Sequence, residues 1–185
     1  MQRLRQNNHL YGKHNDQSKQ AIRFYSLFIW VIPLFFCVMI FRFSAQTGEE
    51  STGVSSPLTQ EIVATYSEVM HQSWDQEEIM ENAEALEVYV RKAGHMAEYA
   101  MLTVSVVLAT WISFGASKRN FIFAELFCVC YAASDEIHQL FVPGRCGKFS
   151  DVLIDSAGSL IGLLCMICII HRFQKRKRLS DQEMK

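Results

Sequence analysis

The 185-residue sequence lacks the short motifs that would assign it to several common classes of protein. It has no glycine-rich nucleotide-binding loop and no internal repeat. The zinc-protease motif HExxH and the related spacing HxxxE are also absent. The sequence therefore does not support a nucleotide-binding enzyme, a repeat protein or a zinc hydrolase, and it identifies no cofactor.

The cysteines provide no disulfide framework. Of the six, only Cys146 lies outside a long apolar run. The others are Cys37, Cys128, Cys130, Cys165 and Cys168. A thiol inside an apolar run behaves as a small hydrophobic group, and the CVC and CMIC pairs have no obvious further metal ligands nearby. We predict neither a disulfide-stabilised fold nor a metal site.

Four long apolar runs dominate the rest of the chain, at residues 24–41, 93–114, 121–141 and 152–170. Each approaches the ~20 residues that a helix needs to cross a ~30 Å hydrocarbon core. A soluble protein of this size would have to bury four such helices in one small domain. No small-residue cleavage site follows the first run, so we interpret it as an anchor rather than a secretory signal. The sequence predicts an all-α, four-helix polytopic membrane bundle.

The formal net charge of −1 conceals a strong asymmetry along the chain. Thirteen of the 18 Lys and Arg residues share one side of the predicted membrane: Arg3, Arg5, Lys13, Lys19, Arg23, Lys118, Arg119, Arg172, Lys175, Arg176, Lys177, Arg178 and Lys185. The positive-inside rule then places both termini in the cytoplasm. Residues 1–23 and 172–185 become basic cytoplasmic tails around a membrane domain at 24–171, and residues 44–91 and 142–150 face outward.

The outer segment at 44–91 has apolar residues at helical spacing. We expect one or two amphipathic helices lying across the external face. Ser56 followed by Pro57 predicts a cap and first residue for this helical segment. In the fourth apolar run, Gly158 and Gly162 predict a close approach to another helix.

Polar side chains cluster at the predicted outer ends of the spans. Lys92, His95 and Glu98 recur at three-residue intervals on one helix face, and Pro143–Gly144 predicts a tight turn that holds Arg145 nearby. The candidate catalytic residues are Lys92, His95, Glu98, Asp135, Glu136, Gln139, Arg145, Asp151 and Asp155. The candidate substrate-binding residues are Ser44, Gln46, Lys92 and Arg145.

These groups have two interpretations. Charges near hydrocarbon are costly and usually face the bundle interior with partners, so they could be ion pairs that hold the helices in register. Under either interpretation we expect Glu98 or Asp135 within hydrogen-bond reach of a cation, and Glu125 paired with Lys118 or Arg119. The number of groups exceeds what helix register requires. Carboxylates, a histidine and cations meeting in a partly dry cleft favour a site for a polar or ionic ligand.

Four blocks in this order resemble the VanZ-like membrane protein family: FSAQ (43–46), RKAGHMAEYAML (91–102), SDEIHQLFVPGRCGKFSD (134–151) and DSAGSLIG (155–162). The resemblance implies a small four-helix membrane protein of the envelope of Gram-positive bacteria, linked to teicoplanin-type glycopeptide resistance. The chain departs from the family pattern at Asp155, where Asn is common.

Two functions are consistent with the cluster and the resemblance. The first is an enzyme acting on a lipid-linked or envelope substrate, with Glu98 or Asp135 as general base and His95 as proton shuttle. Lys92 and Arg145 would then hold a phosphate or carboxylate. A metal-dependent version would use His95, Glu98, Asp135 and Glu136, and the absent spacings make it the weaker version.

The second function is a non-catalytic binder of an envelope lipid, a glycopeptide or a partner protein in the same cleft. Transport is less favoured, because the inner halves of the spans carry almost no polar residue except Glu125. The expected surroundings are the lipid bilayer and a lipid-linked precursor or glycopeptide, without nucleic acid.

Overall fold

The computed structural model describes residues 28–183, and all its regular structure is helical. The five helices are α1 (Val31–Ser44), α2 (Gly48–Val69), α3 (Gln76–Phe114), α4 (Lys118–Gln139) and α5 (Phe149–Glu183). This confirms the predicted all-α class. The predicted tail at residues 1–23 lies outside the described residues.

Helix α2 begins earlier than the sequence predicted. Its N-cap is Thr47, whose hydroxyl accepts from the backbone N–H of Glu50 at 3.2 Å, while Glu50 Oε2 accepts from the Thr47 N–H at 2.8 Å. This capping box satisfies two N–H groups that the start of a helix leaves unpaired. The predicted start at Ser56–Pro57 is wrong, since Pro57 lies inside α2.

Helix α3 joins two elements that the sequence treated separately. It starts at an Asp75–Glu78 capping box and runs for 39 residues, about 58 Å at 1.5 Å per residue. The second amphipathic part of the outer segment is therefore continuous with the next span and does not form a separate helix. Because the hydrocarbon core is only ~30 Å thick, the first half of α3 extends beyond it, and α2 packs alongside that half through Ser55, which donates to Glu87 at 3.0 Å.

Helices α3 and α5 form the centre of the bundle. A Cβ added at Gly158 would meet the backbone of Met96, and one added at Gly162 would meet the backbone of Ala100. The predicted close approach along this glycine face is confirmed. The core around the contact includes Tyr99, Leu102 and other buried side chains of α1, α4 and α5.

Within the described part of the chain, two helices, α3 and α5, are long and apolar enough to cross a membrane. The pair α1 and α2, bent by 107° between them, supplies a third candidate if it is counted as one span. Among residues 28–183, α4 is not such a candidate, and polar residues such as Glu125, Asp135 and Glu136 lower its apolar character. The number of four spans stays a prediction. Helix α5 continues beyond its predicted span to Glu183.

Candidate functional site

A cavity of about 250 Å³ opens where α3 passes the end of α4 and the start of α5. The loop between α4 and α5 and Gly48 at the start of α2 complete its wall. Of the residues predicted for the site, seven line the cavity: Lys92, His95, Glu136, Gln139, Arg145, Asp151 and Asp155. The four others, Ser44, Gln46, Glu98 and Asp135, do not line it.

Ser44, Asp135 and Gln139 form a buried cluster that joins the ends of α1 and α4. The Ser44 hydroxyl donates to Asp135 Oδ2 at 2.5 Å. Gln139 Nε2 donates to Ser44 Oγ at 2.8 Å and to Asp135 Oδ2 at 3.4 Å. Neutral donors thus stabilise the buried carboxylate, as burial of a polar group requires. Because the amide N–H groups of Gln139 are used within this cluster, its side-chain carbonyl oxygen is the polar atom that it can offer to the cavity.

Arg145 connects the α4–α5 loop to the end of α1. Its Nε donates to the Gln46 carbonyl at 3.1 Å, and its Nη2 donates to the Phe43 carbonyl at 3.2 Å. These carbonyls lie at the C-terminus of α1, where the last turn has no intrahelical partners and the helix dipole favours a cation. Burial, and then the nearby charge of Arg91, lower the pKa of the Arg145 guanidinium from its usual value.

The α4–α5 loop folds back onto α4 through Glu136. The buried carboxylate of Glu136 accepts from the Lys148 backbone N–H at 2.7 Å. Gly147 packs so closely on the Glu136 carbonyl that a Cβ there would collide with it. Gly144, with φ of 73°, makes the turn after Pro143, and the Arg145 N–H closes it on the Val142 carbonyl at 3.1 Å. The predicted tight turn is confirmed.

Lys92 and Asp151 form an ion pair across the cavity, with 2.6 Å between Lys92 Nζ and Asp151 Oδ1. It links α3 to α5. About a third of the Lys92 side chain and a quarter of the Asp151 side chain remain exposed, so solvent reaches the pair. Ser150 also donates to the same carboxylate oxygen at 3.1 Å.

His95 and Glu98 differ from these paired groups. His95 Nδ1 lies 3.9 Å from Glu98 Oε2, too far for a hydrogen bond. Both atoms are buried and have no hydrogen-bond partner among the described residues. Asp155 is only 2% exposed and faces the cavity, and no described residue donates a hydrogen bond to its carboxylate. A polar group buried without a partner is costly, so His95 and Asp155, which line the cavity, and Glu98 beside His95 are candidates to bind a ligand there. His138 Nε2 is also buried without a partner among the described residues, but His138 does not line the cavity.

The predicted cation partner for Glu98 or Asp135 is wrong. Asp135 accepts from the neutral groups Ser44 and Gln139, and Glu98 has no Lys or Arg of the described residues within 4.0 Å. Arg145 instead donates to the carbonyls of Gln46 and Phe43, which leaves further guanidinium N–H groups free. Gln46 reaches Arg145 through its backbone oxygen.

Glu125 also has a different partner from the one predicted. It does not pair with Lys118 or Arg119. Instead its Oε2 accepts from Ser159 at 2.9 Å, and Ser159 Oγ lies 2.7 Å from Thr103 Oγ1. We call Thr103, Ser159 and Glu125 the mid-bundle network. Glu125 and Ser159 are 34 positions apart in sequence and meet because α4 and α5 pack antiparallel. The spacing of residues along a single helix cannot predict such a contact.

Three further residues at the site were not among the predicted ones. Arg91 and Lys148 line the cavity, and the Tyr99 hydroxyl is buried below it without a partner within residues 28–183. The helical register contains a signal for two of them, because Arg91, His95 and Tyr99 are spaced i, i+4, i+8 and share one face. Lys148 has no such signal.

No group of three or more His, Cys, Asp or Glu side chains within residues 28–183 is arranged to hold a metal ion. The cavity instead offers carboxylates, cations and an imidazole for direct hydrogen bonding and proton transfer.

An α-helical bundle with membrane-length apolar helices and a polar cavity at one end defines an integral membrane protein. The sequence model of the VanZ/LLP1 family matches residues 26–171. The chain therefore belongs to the VanZ-like family, and the resemblance seen in the sequence is confirmed. Comparisons with curated proteins and with solved structures gave no match.

Proposed function

We propose that the chain crosses the cell membrane four times, with both termini in the cytoplasm and the cavity open to the outside. The basic residues on one side support this orientation through the positive-inside rule. The 22-residue helix α4 is long enough to cross. Its residues Glu136 and Gln139 line the cavity, and Glu125 belongs to the mid-bundle network. A reporter that is active only outside the cell should then be active after Gly53 and silent after Lys118.

We further propose that the cavity acts on the polar part of a lipid-linked or envelope substrate and thereby influences susceptibility to teicoplanin-type glycopeptides. The observation that carries this proposal is the pair of His95, which lines the cavity, and Glu98 beside it, whose facing atoms are buried and have no partner among the described residues. An imidazole beside a carboxylate can accept and return a proton when a substrate hydroxyl or water lies between them.

The remaining residues have roles that follow from their contacts. Asp155 is the second candidate proton acceptor, because its carboxylate faces the cavity without a donor. Lys92 and Arg145 would contact an anionic group of the substrate. The end of α4 would be held in place by Ser44, Asp135 and Gln139. Glu136 would hold the α4–α5 loop, and Asp151 would position Lys92.

The test uses His95→Gln in a strain from which the gene has been deleted. We expect the variant to accumulate in the membrane normally but to leave glycopeptide tolerance at the level of the deletion strain. The matched control is His138→Gln, the same change on α4, where the ring stacks on Phe41 at 4.7 Å and does not line the cavity. The control should restore tolerance. Full restoration by His95→Gln would remove His95 from the reaction.

A second candidate, a non-catalytic binder, is favoured by the contacts that already restrain the cavity wall. Lys92, Glu136 and Arg145 are each held by a protein partner, which suits a preformed binding site. The two candidate functions predict different lipid and muropeptide profiles in the cell. An enzyme should change the profile of the deletion strain when wild-type protein is restored, and a binder should restore tolerance with the profile unchanged.

A further inference from the structure

Three cations of the cavity form no ion pair with a carboxylate among the described residues. Arg91, Arg145 and Lys148 line it, and none has a carboxylate within 4.0 Å among residues 28–183. Arg91 and Arg145 are half-buried and Lys148 is exposed, so these charges lie towards the cavity mouth. Arg91 and Arg145 are also close enough to oppose each other's charge. A phosphate would relieve this repulsion and accept hydrogen bonds from a guanidinium.

The cavity floor has the opposite character. Asp155 is nearly fully buried there and accepts no hydrogen bond from the described residues, and one oxygen of Glu98 below it is also without a donor. Gln139 uses its amide N–H groups on Ser44 and Asp135, so only its oxygen remains. Beside the His95 imidazole, which also lines the cavity, the floor therefore presents two acceptors, Asp155 and the Gln139 oxygen, without donors among the described residues. An ammonium group, which carries three N–H donors and no acceptor, matches this set.

Two observations favour a lipid headgroup over a large soluble ligand. A volume of about 250 Å³ is below the usual range for drug-sized ligands and suits a small headgroup. The cavity also lies beside the start of the apolar run at 93–114 in α3, so it is at the level of the membrane interface. Phe141 and Phe149, which flank the α4–α5 loop, are both mostly exposed, as expected for aromatic residues that contact lipid.

We infer that the cavity binds a membrane phospholipid whose headgroup joins a phosphate diester to a primary amine, as in phosphatidylethanolamine. The phosphate lies among Arg91, Arg145 and Lys148, and the amine lies on Asp155 and Gln139. This inference rests on the proposed function, because it names the class of lipid that the same cavity takes.

The test compares short-chain lipids with one acyl composition, titrated calorimetrically into the purified full-length protein. Dioctanoyl phosphatidylethanolamine supplies both groups, phosphatidylglycerol lacks the amine, and phosphatidylcholine keeps the charge but has no N–H donor. Hydrogen bonds to charged groups justify an expected preference of about tenfold or more for phosphatidylethanolamine over the other two. Soluble glycerophosphoethanolamine, the headgroup without acyl chains, should bind more weakly than the lipid.

Variants separate the two halves of the cavity. Asp155→Asn should abolish the preference for phosphatidylethanolamine over phosphatidylglycerol, so that the ratio of the two affinities falls to about one. The affinity for phosphatidylglycerol itself should not decrease. Arg91→Gln should weaken both lipids about tenfold. The matched control is Lys175→Gln, a basic residue of α5 in the basic cluster away from the cavity, and it should change neither. If a variant does not yield folded protein, the lipid series on the wild-type chain decides.

Equal affinity for phosphatidylethanolamine and phosphatidylcholine would overturn the placement of the amine on Asp155 and Gln139. Binding of neither lipid would overturn the proposed class of headgroup. If neither binds and His95→Gln still loses glycopeptide tolerance, the headgroup class is wrong and the proposed function stands. If the predicted preference is found and His95→Gln restores tolerance fully, the lipid site stands and the proposed function fails.

Discussion

Two buried polar regions lie next to each other in this bundle and are satisfied in opposite ways. Asp155 at the cavity and Ser159 in the mid-bundle network are one turn apart on α5, and both are almost completely buried. Ser159 contacts Thr103 on α3 and Glu125 on α4, whereas Asp155 has no donor within residues 28–183. The presence of a partner, and not polarity or burial, distinguishes a group that holds helices together from one that is available to a ligand.

The mid-bundle network can be complete in either protonation state of Glu125. With an ionised carboxylate, Thr103 donates to Ser159 and Ser159 donates to Glu125. With a protonated one, the donors reverse, and Thr103 donates to the Tyr99 carbonyl, 2.9 Å away. The Thr103–Ser159 and Ser159–Glu125 contacts can run in both directions because a hydroxyl is both donor and acceptor. His95 and Glu98 do not form such a reversible chain of hydrogen bonds, because His95 Nδ1 and Glu98 Oε2 are 3.9 Å apart.

The largest effect is expected from the glycine contact that supports both regions. Gly158 lies between Asp155 and Ser159 and packs on the Met96 backbone, so a Cβ there cannot be accommodated unless α3 and α5 separate. We expect Gly158→Ala to destabilise the fold by about 3 kcal/mol, at the upper end for overpacking. Thermal unfolding in detergent, followed by helical circular dichroism, measures this.

The control for that change is Gly94→Ala in the middle of α3. A Cβ at Gly94 meets nothing within 4 Å, so the gain in helix propensity of roughly 0.5–1 kcal/mol should prevail. If both variants destabilised the protein equally, the close contact at Gly158 would have no special role.

The next effect compares the two polar regions directly. Ser159→Ala removes the partner of both Thr103 and Glu125, and leaving the partly buried Glu125 acceptor unsatisfied should cost about 1 kcal/mol, the lower end of the range for buried acceptors. Glu98→Gln removes no hydrogen bond among the described residues and replaces a partly buried carboxylate with a neutral amide, so we expect the free energy of unfolding not to fall while glycopeptide tolerance is lost. The reverse ranking of the two stabilities would show that Glu98 belongs to the scaffold.

The smallest effect is expected at Lys92 and Asp151. Solvent reaches this ion pair, and exposed pairs contribute about 0–1 kcal/mol. A double-mutant cycle with Lys92→Gln and Asp151→Asn should therefore give a coupling energy below about 1 kcal/mol, weakening further at high salt. A coupling of several kcal/mol would mean that the pair holds α3 against α5, and Lys92 would then not be free to contact a ligand.

Much of the architecture could be predicted from local patterns. The apolar runs predicted the helices, the glycine face of α5 predicted its contact with α3, and Pro143–Gly144 predicted the turn before Arg145. The errors occurred where the signals were ambiguous. A Ser–Pro pair is a good start for a helix, but the capping box at Thr47 and Glu50 lies nine residues earlier and is stabilised by two reciprocal hydrogen bonds, so the helix begins there.

The sequence alone determined the membrane class, the family and the set of polar residues near one end of the bundle, because hydropathy and residue spacing are properties of each segment separately. Only the tertiary structure decided which of those residues are partners. Asp135 is satisfied by a serine 91 positions away, Arg145 is held by carbonyls of α1, and Glu125 turns to Ser159 and not to its basic neighbours. Hydrogen bonds require atoms within about 3 Å in a suitable direction, and helix packing brings those atoms together across distances in sequence that no local pattern specifies.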